Sequence, residues 1–282
     1  MTELESMELQ ASELRLRILQ TALKAKKGHV PPAFSCLDIL VALYYGGHLR
    51  IDPNWPKKAD RDRLILSKGH GCLALYSILE NLGFFSADLL ENFVTDGHML
   101  AGHPDPEIPG VEVVSGSLGH GLGVGCGLAL GAKMSGETWR VFTILGDGEC
   151  DEGSIWEAAM FAPQHKLSQL TAIIDRNKLS ATDFTENVIS LEPLSERFES
   201  FGWKVISING HSFSEINQAL SSRDSDGRPI LIIANTVKGK GVTLMENSPF
   251  WHHSLPKGAE IEIALGQLEK TRDELKRKKT SS

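Results

Sequence analysis

Residues 141–159 read VFTILGDGECDEGSIWEAA. An apolar run of strand length stops at Asp147, which has a glycine on each side, and three more acids follow before the chain turns apolar again. A continuous apolar run is the pattern of a strand buried on both faces, as in a parallel sheet. In open parallel sheets, ligands sit outside the carboxyl ends of the strands, so Asp147 is placed at a ligand position. Glycines on both sides let the backbone turn sharply and approach a ligand closely. The next helix is expected near Gly153, and its free N–H groups favour an anion such as a phosphate. Acids at a helix start also complement its dipole, and that plain reading is assigned to Glu149 and Asp151.

Working outward, LTAIID, WKVISI and ILIIAN are further strand candidates, and DRLILS is a short buried one running into the turn KGHG. Each is bounded by helical segments. This βαβ alternation predicts an α/β fold, a three-layer parallel sheet with helices on both faces. Residues 5–27 have apolar positions at helical spacing, GHVPPAFS reads as a proline loop, and SCLDILVALYY reads as a second helix capped by Ser35. Residues 94–121 form a long loop rich in Gly, His and Pro, a length that usually signals function. With no repeat or low-complexity linker, residues 1–282 are expected to form a single domain, its core about 10–260, with 261–282 as a helix and tail.

The 282 residues suffice for a large core, and 41% hydrophobic with 23% charged content is ordinary for a globular chain. A formal charge of −7 argues against nucleic acid or an anionic membrane as partner. No apolar stretch is long enough to span a bilayer, and the N-terminus lacks a secretory pattern. Cys36, Cys72, Cys126 and Cys150 are scattered without a CxxC pair, which favours buried thiols. A cytoplasmic location is expected.

Asn177 ends the strand candidate LTAIIDRN. An aspartate, an asparagine carbonyl and a backbone carbonyl suit a hard divalent ion, Mg2+ or Ca2+, that also grips a diphosphate. The same aspartate also suits an Asx turn. Of ten histidines, His29, His70, His98, His103, His120, His252 and His253 fall in predicted loops. Several at strand ends suggest a polar pocket that binds hydroxyls and moves protons.

In order along the chain, KKGHVPPAFSCLDILVALY, DRLILSKGHGCLALYSILENLGF, AGHPD, SGSLGHGLGVGCGLALGAK, GDGECDEGSIWEAAMFAPQHKLSQLTAIIDRNKLSATD, RFESFGWKVISINGHS and TVKGKGV resemble the N-terminal, diphosphate-binding domain of transketolase. The resemblance covers roughly residues 10–260. It implies thiamine diphosphate as cofactor, with Mg2+ or Ca2+, and transfer of a two-carbon ketol unit from a ketose to an aldehyde acceptor. It implies that Asp147, Asn177 and the Leu179 carbonyl bind the metal, and that Gly148 and Asn177 touch the diphosphate. Gly116, Ser117 and Leu118 would lie along the cofactor, and His70 would contact its diphosphate. His29, His103 and His252 would surround the substrate, His252 also reaching the cofactor and His253 remaining its rival. Glu152 and Glu157 match acids that link the cofactor sites across a subunit interface.

The chain departs from the family at GHVPP, where GHPG is common, at His120, where glutamine is common, and at SGS. It also ends soon after the first domain, so it resembles one subunit of a split transketolase. The implied partner is a separate pyrimidine-domain and C-terminal-domain subunit in an α2β2 assembly acting on sugars or sugar phosphates. The alternatives are an alpha-type subunit of a 2-oxo acid dehydrogenase, deoxyxylulose phosphate synthase, a transketolase for a specialised ketose such as a sulfosugar, and a degenerate scaffolding subunit.

Overall fold

The structure, a computed structural model, describes residues 2–280. Its sheet has strands β1 (Arg63–Leu66), β2 (Val141–Gly146), β3 (Leu170–Arg176), β4 (Lys204–Asn209) and β5 (Ile230–Asn235), all parallel, in the order β1-β2-β3-β5-β4. Every residue of β2 is buried, as the uninterrupted run VFTILG requires. Alternate residues serve the two faces. Phe142, Ile144, Ile173 and Ile232 join one core, and Val141, Leu145, Ile174 and Leu231 the other.

The first core is roofed by α1 (Glu3–Ala25), α2 (Val30–Tyr45), α3 (Cys72–Asn81), the short α4 (Ala87–Glu91) and α9 (Phe213–Leu220). The second lies under α5 (His120–Met134), α6 (Gly153–Gln164) and α8 (Leu194–Phe201), with the one-turn α7 (Thr185–Val188) nearby. The C-terminal α10 (Ala259–Thr280) lies along α1. All four cysteines are buried and unbridged. Among the described residues, no helix is long and apolar enough to cross a membrane.

From β3 the chain passes through α8 to β4, then returns through α9 on the opposite face to β5. Right-handed crossovers demand that change of face when the winding reverses. The loops leaving β3 and β5 therefore part to opposite sides at the carboxyl edge, which opens a crevice there. Register makes that edge level: Gly146 pairs with Asp175, and Arg176 with Asn235. Asp147 and Asn177, each one residue beyond its strand, emerge side by side.

Two local expectations are corrected. GHVPPAFS is not a loop, because α2 begins at Val30 with Pro31 and Pro32 in its first turn, where a missing N–H costs nothing. Ser35 is accordingly not a cap. It is buried inside α2, and its hydroxyl donates to Asp175 at 2.6 Å.

Close approach explains part of the glycine run in α5. A Cβ on Gly121 would fall 2.3 Å from the Ser67 hydroxyl, and one on Gly125 2.5 Å from that of Thr143. Gly123, Gly127 and Gly131 face open space. Gly121→Ala is therefore expected to destabilise the isolated chain by about 1–3 kcal/mol through overpacking. Gly123→Ala should instead stabilise it by about 0.5–1 kcal/mol, the helix-propensity gain alone. Urea unfolding of the two variants checks the contrast.

Candidate active site

At the carboxyl edge lies a cavity of about 560 Å³. Of the residues singled out in the sequence, His29, His70, His103, Gly116, Leu118, Asp147, Gly148, Asn177, Leu179 and His252 line it, and His253 joins them. Segments from eight separate parts of the chain converge there.

The oxygen-rich end is built on β2 and β3. Asp147 is 2% exposed, accepting from the Gly148 N–H at 2.9 Å, from Arg176 at 3.3 Å and from the Lys178 N–H. Burial, and then the nearby Asp175 carboxylate, raises its carboxyl to about 6, against the pull of Arg176. The buried Asn177 turns its amide oxygen toward the Leu179 N–H at 3.1 Å. The Leu179 carbonyl accepts from the Lys238 ammonium at 3.2 Å, so a cation already sits on one oxygen of the expected metal set. This all-oxygen donor set fits a hard divalent ion. Gly148 packs so tightly that a Cβ would lie 3.2 Å from Ser180, and Gly116, at φ +132°, is 3.3 Å from the His103 ring on the same test.

The nitrogen-rich end is a cluster of imidazoles. His29 lies 5.5 Å from His70, 5.5 Å from His252 and 4.6 Å from His253, centroid to centroid. Burial, then the neighbouring imidazoles of His253 and His103, lowers His29 to about 4, and His70 is likewise pushed well down by burial and Lys68. These rings are neutral at pH 7 and can offer a lone pair to a hydroxyl hydrogen or an N–H to a carbonyl oxygen. His252 is buried and His253 exposed at the rim, yet both rings face His29.

Not every expected residue reaches the cavity. Ser117 is exposed outside the lining, its hydroxyl 3.5 Å from His120. Glu152 and Glu157 are also exposed and outside it. Glu157 lines a separate groove of about 480 Å³ between α5 and α6, with His120, Val124 and Phe161. His98 lies away from both.

Sequence reasoning missed several buried groups. Lys68, 1% exposed, pairs with the fully buried Asp175, and Lys238 is 2% exposed. Burial opposes the charge on Asp175, but Lys68, Ser35 and Thr236 outweigh it and hold the carboxyl below its usual range. Burial and Lys68 lower Lys238 to about 8. Two buried ammonium groups beside a glycine cradle suit a diphosphate. The available signal was a lysine in each glycine turn, SKGHG and TVKGKG. Arg176 binds Asp147, Thr185, Glu186 and Glu192 together, and so orients the Asp147 carboxylate.

The dipole reading of Glu149 is overturned. Its side chain is 2% exposed, accepts from the Gly119 and Gly146 N–H groups at 2.9 Å each, and takes the Ser67 hydroxyl. It ties the ends of β1 and β2 to the start of α5.

Residues 6–270 match the family described as transketolase, thiamine diphosphate binding domain. The chain is 42% identical over 276 residues to an apulose-4-phosphate transketolase subunit of Phocaeicola vulgatus, covering 98% of each. It is 40% identical to the 6-deoxy-6-sulfo-D-fructose transketolase subunit SqwG of a Clostridium species, covering 93% of this chain and 95% of that one. Among solved structures, transketolase of Campylobacter jejuni superposes with a TM-score of 0.84 at 31% identity, over 96% of this chain and 48% of that one. The chain thus spans about half the length of that solved transketolase.

Two outcomes are expected at this site. Because a proton competes for Asp147, Mg2+ affinity measured calorimetrically with thiamine diphosphate present should fall as pH drops through about 6. Asp147→Asn should lower affinity at least about 10- to 100-fold and flatten that pH dependence. Glu149→Gln presents an amide N–H to backbone N–H groups, and should cost about 1–3 kcal/mol in thermal or urea unfolding.

Proposed function

This chain belongs to the family of transketolase thiamine diphosphate-binding domains, and on that premise we propose that it is the cofactor-binding subunit of a two-chain transketolase. The observation that carries the reading is the single cavity in which three histidine loops meet Asp147 and Asn177. Residues 2–280 are taken as one domain around one sheet.

Thiamine diphosphate, when bound, supplies the carbon nucleophile and electron sink for breaking a bond next to a ketose carbonyl. The chain's own residues hold and orient. Asp147, Asn177 and the Leu179 carbonyl hold the divalent ion, which requires Lys238 to release or share that carbonyl. Lys238 and His70 then face the diphosphate, with Gly116, Leu118 and Gly148 allowing its close approach. Lys68 stays paired with Asp175 and holds the strand ends beneath the site together. His29, His103 and His252 bind the hydroxyl and carbonyl oxygens of the ketose. Being neutral, His29 and His252 can donate to an oxygen in one tautomer and accept a proton in the other.

The partner is a second polypeptide carrying the pyrimidine-binding part of the site, in an α2β2 assembly. The outer face of α5 and α6 supports an interface. Val124, Met160 and Phe161 are exposed there, Gly123 and Gly127 have no neighbour within the chain, and Glu152 and Glu157 stand beside them. Glu152 and Glu157 would reach cofactor sites only across that interface. The substrate is proposed to be a ketose with a terminal anionic group, phosphate or sulfonate. This rests on the substrates named for the apulose-4-phosphate and sulfofructose relatives.

The purified chain with thiamine diphosphate and Mg2+ is expected to transfer no ketol unit, and addition of the second polypeptide should restore transfer. With the pair, a terminal phosphate or sulfonate should raise kcat/KM by at least about tenfold over the neutral ketose, the factor for 1.4 kcal/mol. Robust transfer by the chain alone would overturn the two-chain reading.

A further inference from the structure

Two histidines adjacent in sequence, His252 and His253, face a third, His29, from across the cavity mouth. One donor nitrogen from each lies within 4.8 Å of the other two. His29 is fixed at the start of α2, ahead of Pro31 and Pro32. His252 and His253 end a single turn, Pro249–His252, that packs on the same helix. The Nδ1 of His252 is buried and has no hydrogen-bond partner in the protein.

We propose that His29, His252 and His253 form a three-imidazole site for a borderline transition-metal ion of the Zn2+ class. Three imidazoles with a fourth position open toward a cavity suit Zn2+, Co2+ or Cu2+, which accept nitrogen ligands readily. Mg2+ demands oxygen ligands and goes instead to Asp147 and Asn177. The two positions therefore sort ions by ligand type within one cavity. Zn–N bonds of about 2.0–2.1 Å put tetrahedral donors about 3.3 Å apart. Closing from 4.8 Å or less to that spacing requires ring movement, for which the exposed His253 is the freest of the three.

An ion held there occupies the place where His29 and His252 are proposed to grip ketose oxygens. It should therefore inhibit in competition with the donor ketose and not with thiamine diphosphate. Ion binding itself does not depend on ketol transfer, so the two can fail separately.

The test titrates the full chain with Co2+ in excess Mg2+, reading the visible absorption of the bound ion. One Co2+ per chain, with four-coordinate bands and displacement by one equivalent of Zn2+, is expected. His253→Ala and His29→Gln should each weaken binding by about tenfold or more, since loss of even a hydrogen bond behind a metal ligand costs about 10- to 100-fold. Asp147→Asn should bind Co2+ as tightly as the parent. Displacement of Co2+ by Mg2+, or unchanged affinity in His253→Ala, would overturn the proposal. So would loss of Co2+ binding in Asp147→Asn.

Discussion

The ion pair between Lys68 and Asp175 is the contact on which the rest of the site depends. Lys68 follows β1, and Asp175 is the penultimate residue of β3. Neither sees water, and removing one partner of such a pair leaves an uncompensated charge at a cost of about 3–5 kcal/mol. Its value here is positional. Lys68 also donates to the Pro32 carbonyl at 3.0 Å, while Asp175 takes the hydroxyls of Ser35 and Thr236. The pair therefore fixes the start of α2, and with it His29, against the ends of β1, β3 and β5. Each of those elements carries part of the cavity wall, so their relative heights follow from one buried contact.

That contact also sets the electrostatics above it. The whole chain is acidic, yet its cavity holds two buried ammonium groups. Lys68 is neutralised by Asp175, whereas Lys238 is held only by the carbonyls of Leu179 and Ser180. The oxygen-lined end consequently has a carboxylate raised to about 6 by burial and Asp175 against the pull of Arg176, and an ammonium lowered to about 8 by burial and Lys68. A divalent ion and a diphosphate bound as proposed would relieve both at once, the ion beside Asp147 and the anion beside Lys238. The imidazoles respond in the same direction, since positive neighbours and burial hold them neutral.

Much of this was legible in the sequence for a simple reason. Local patterns record contacts that are local or periodic. The run VFTILG signals a strand buried on both faces wherever it occurs, and Asp147 between glycines marks its end. Histidines beside glycines name loops, and the sheet brings loops at strand ends together. Pairing across long stretches leaves no such trace. Glu149 lies among other acids just ahead of a helix and looks like a dipole complement, but its partners are Ser67 and Gly119, far off in the chain. Lys68 and Lys238 look like ordinary surface lysines until their carbonyl and carboxylate partners are known. The misread Pro31–Pro32 pair has a different cause: prolines are equally at home in a loop and in a helix's first turn, and only the packing of α2 decides.

The glycines of α5 divide by the same criterion, and the division bears on what the chain is built to meet. Gly121 and Gly125 are required from within, because Ser67 and Thr143 leave no room for a methyl group. Gly123, Gly127 and Gly131 are required by nothing in this chain, and each gives up helix stability relative to alanine. Their helix lies beside exposed Val124, Met160 and Phe161, around the groove lined by Glu157. Three glycines beside an apolar outer face leave a backbone open to close approach, which agrees with the proposed interface. Four of the five acids in GDGECDEGSIWEAA then fall into three groups. Asp147 is directed into the cavity, Glu149 is consumed by the backbone and the Ser67 hydroxyl beneath it, and Glu152 and Glu157 face outward.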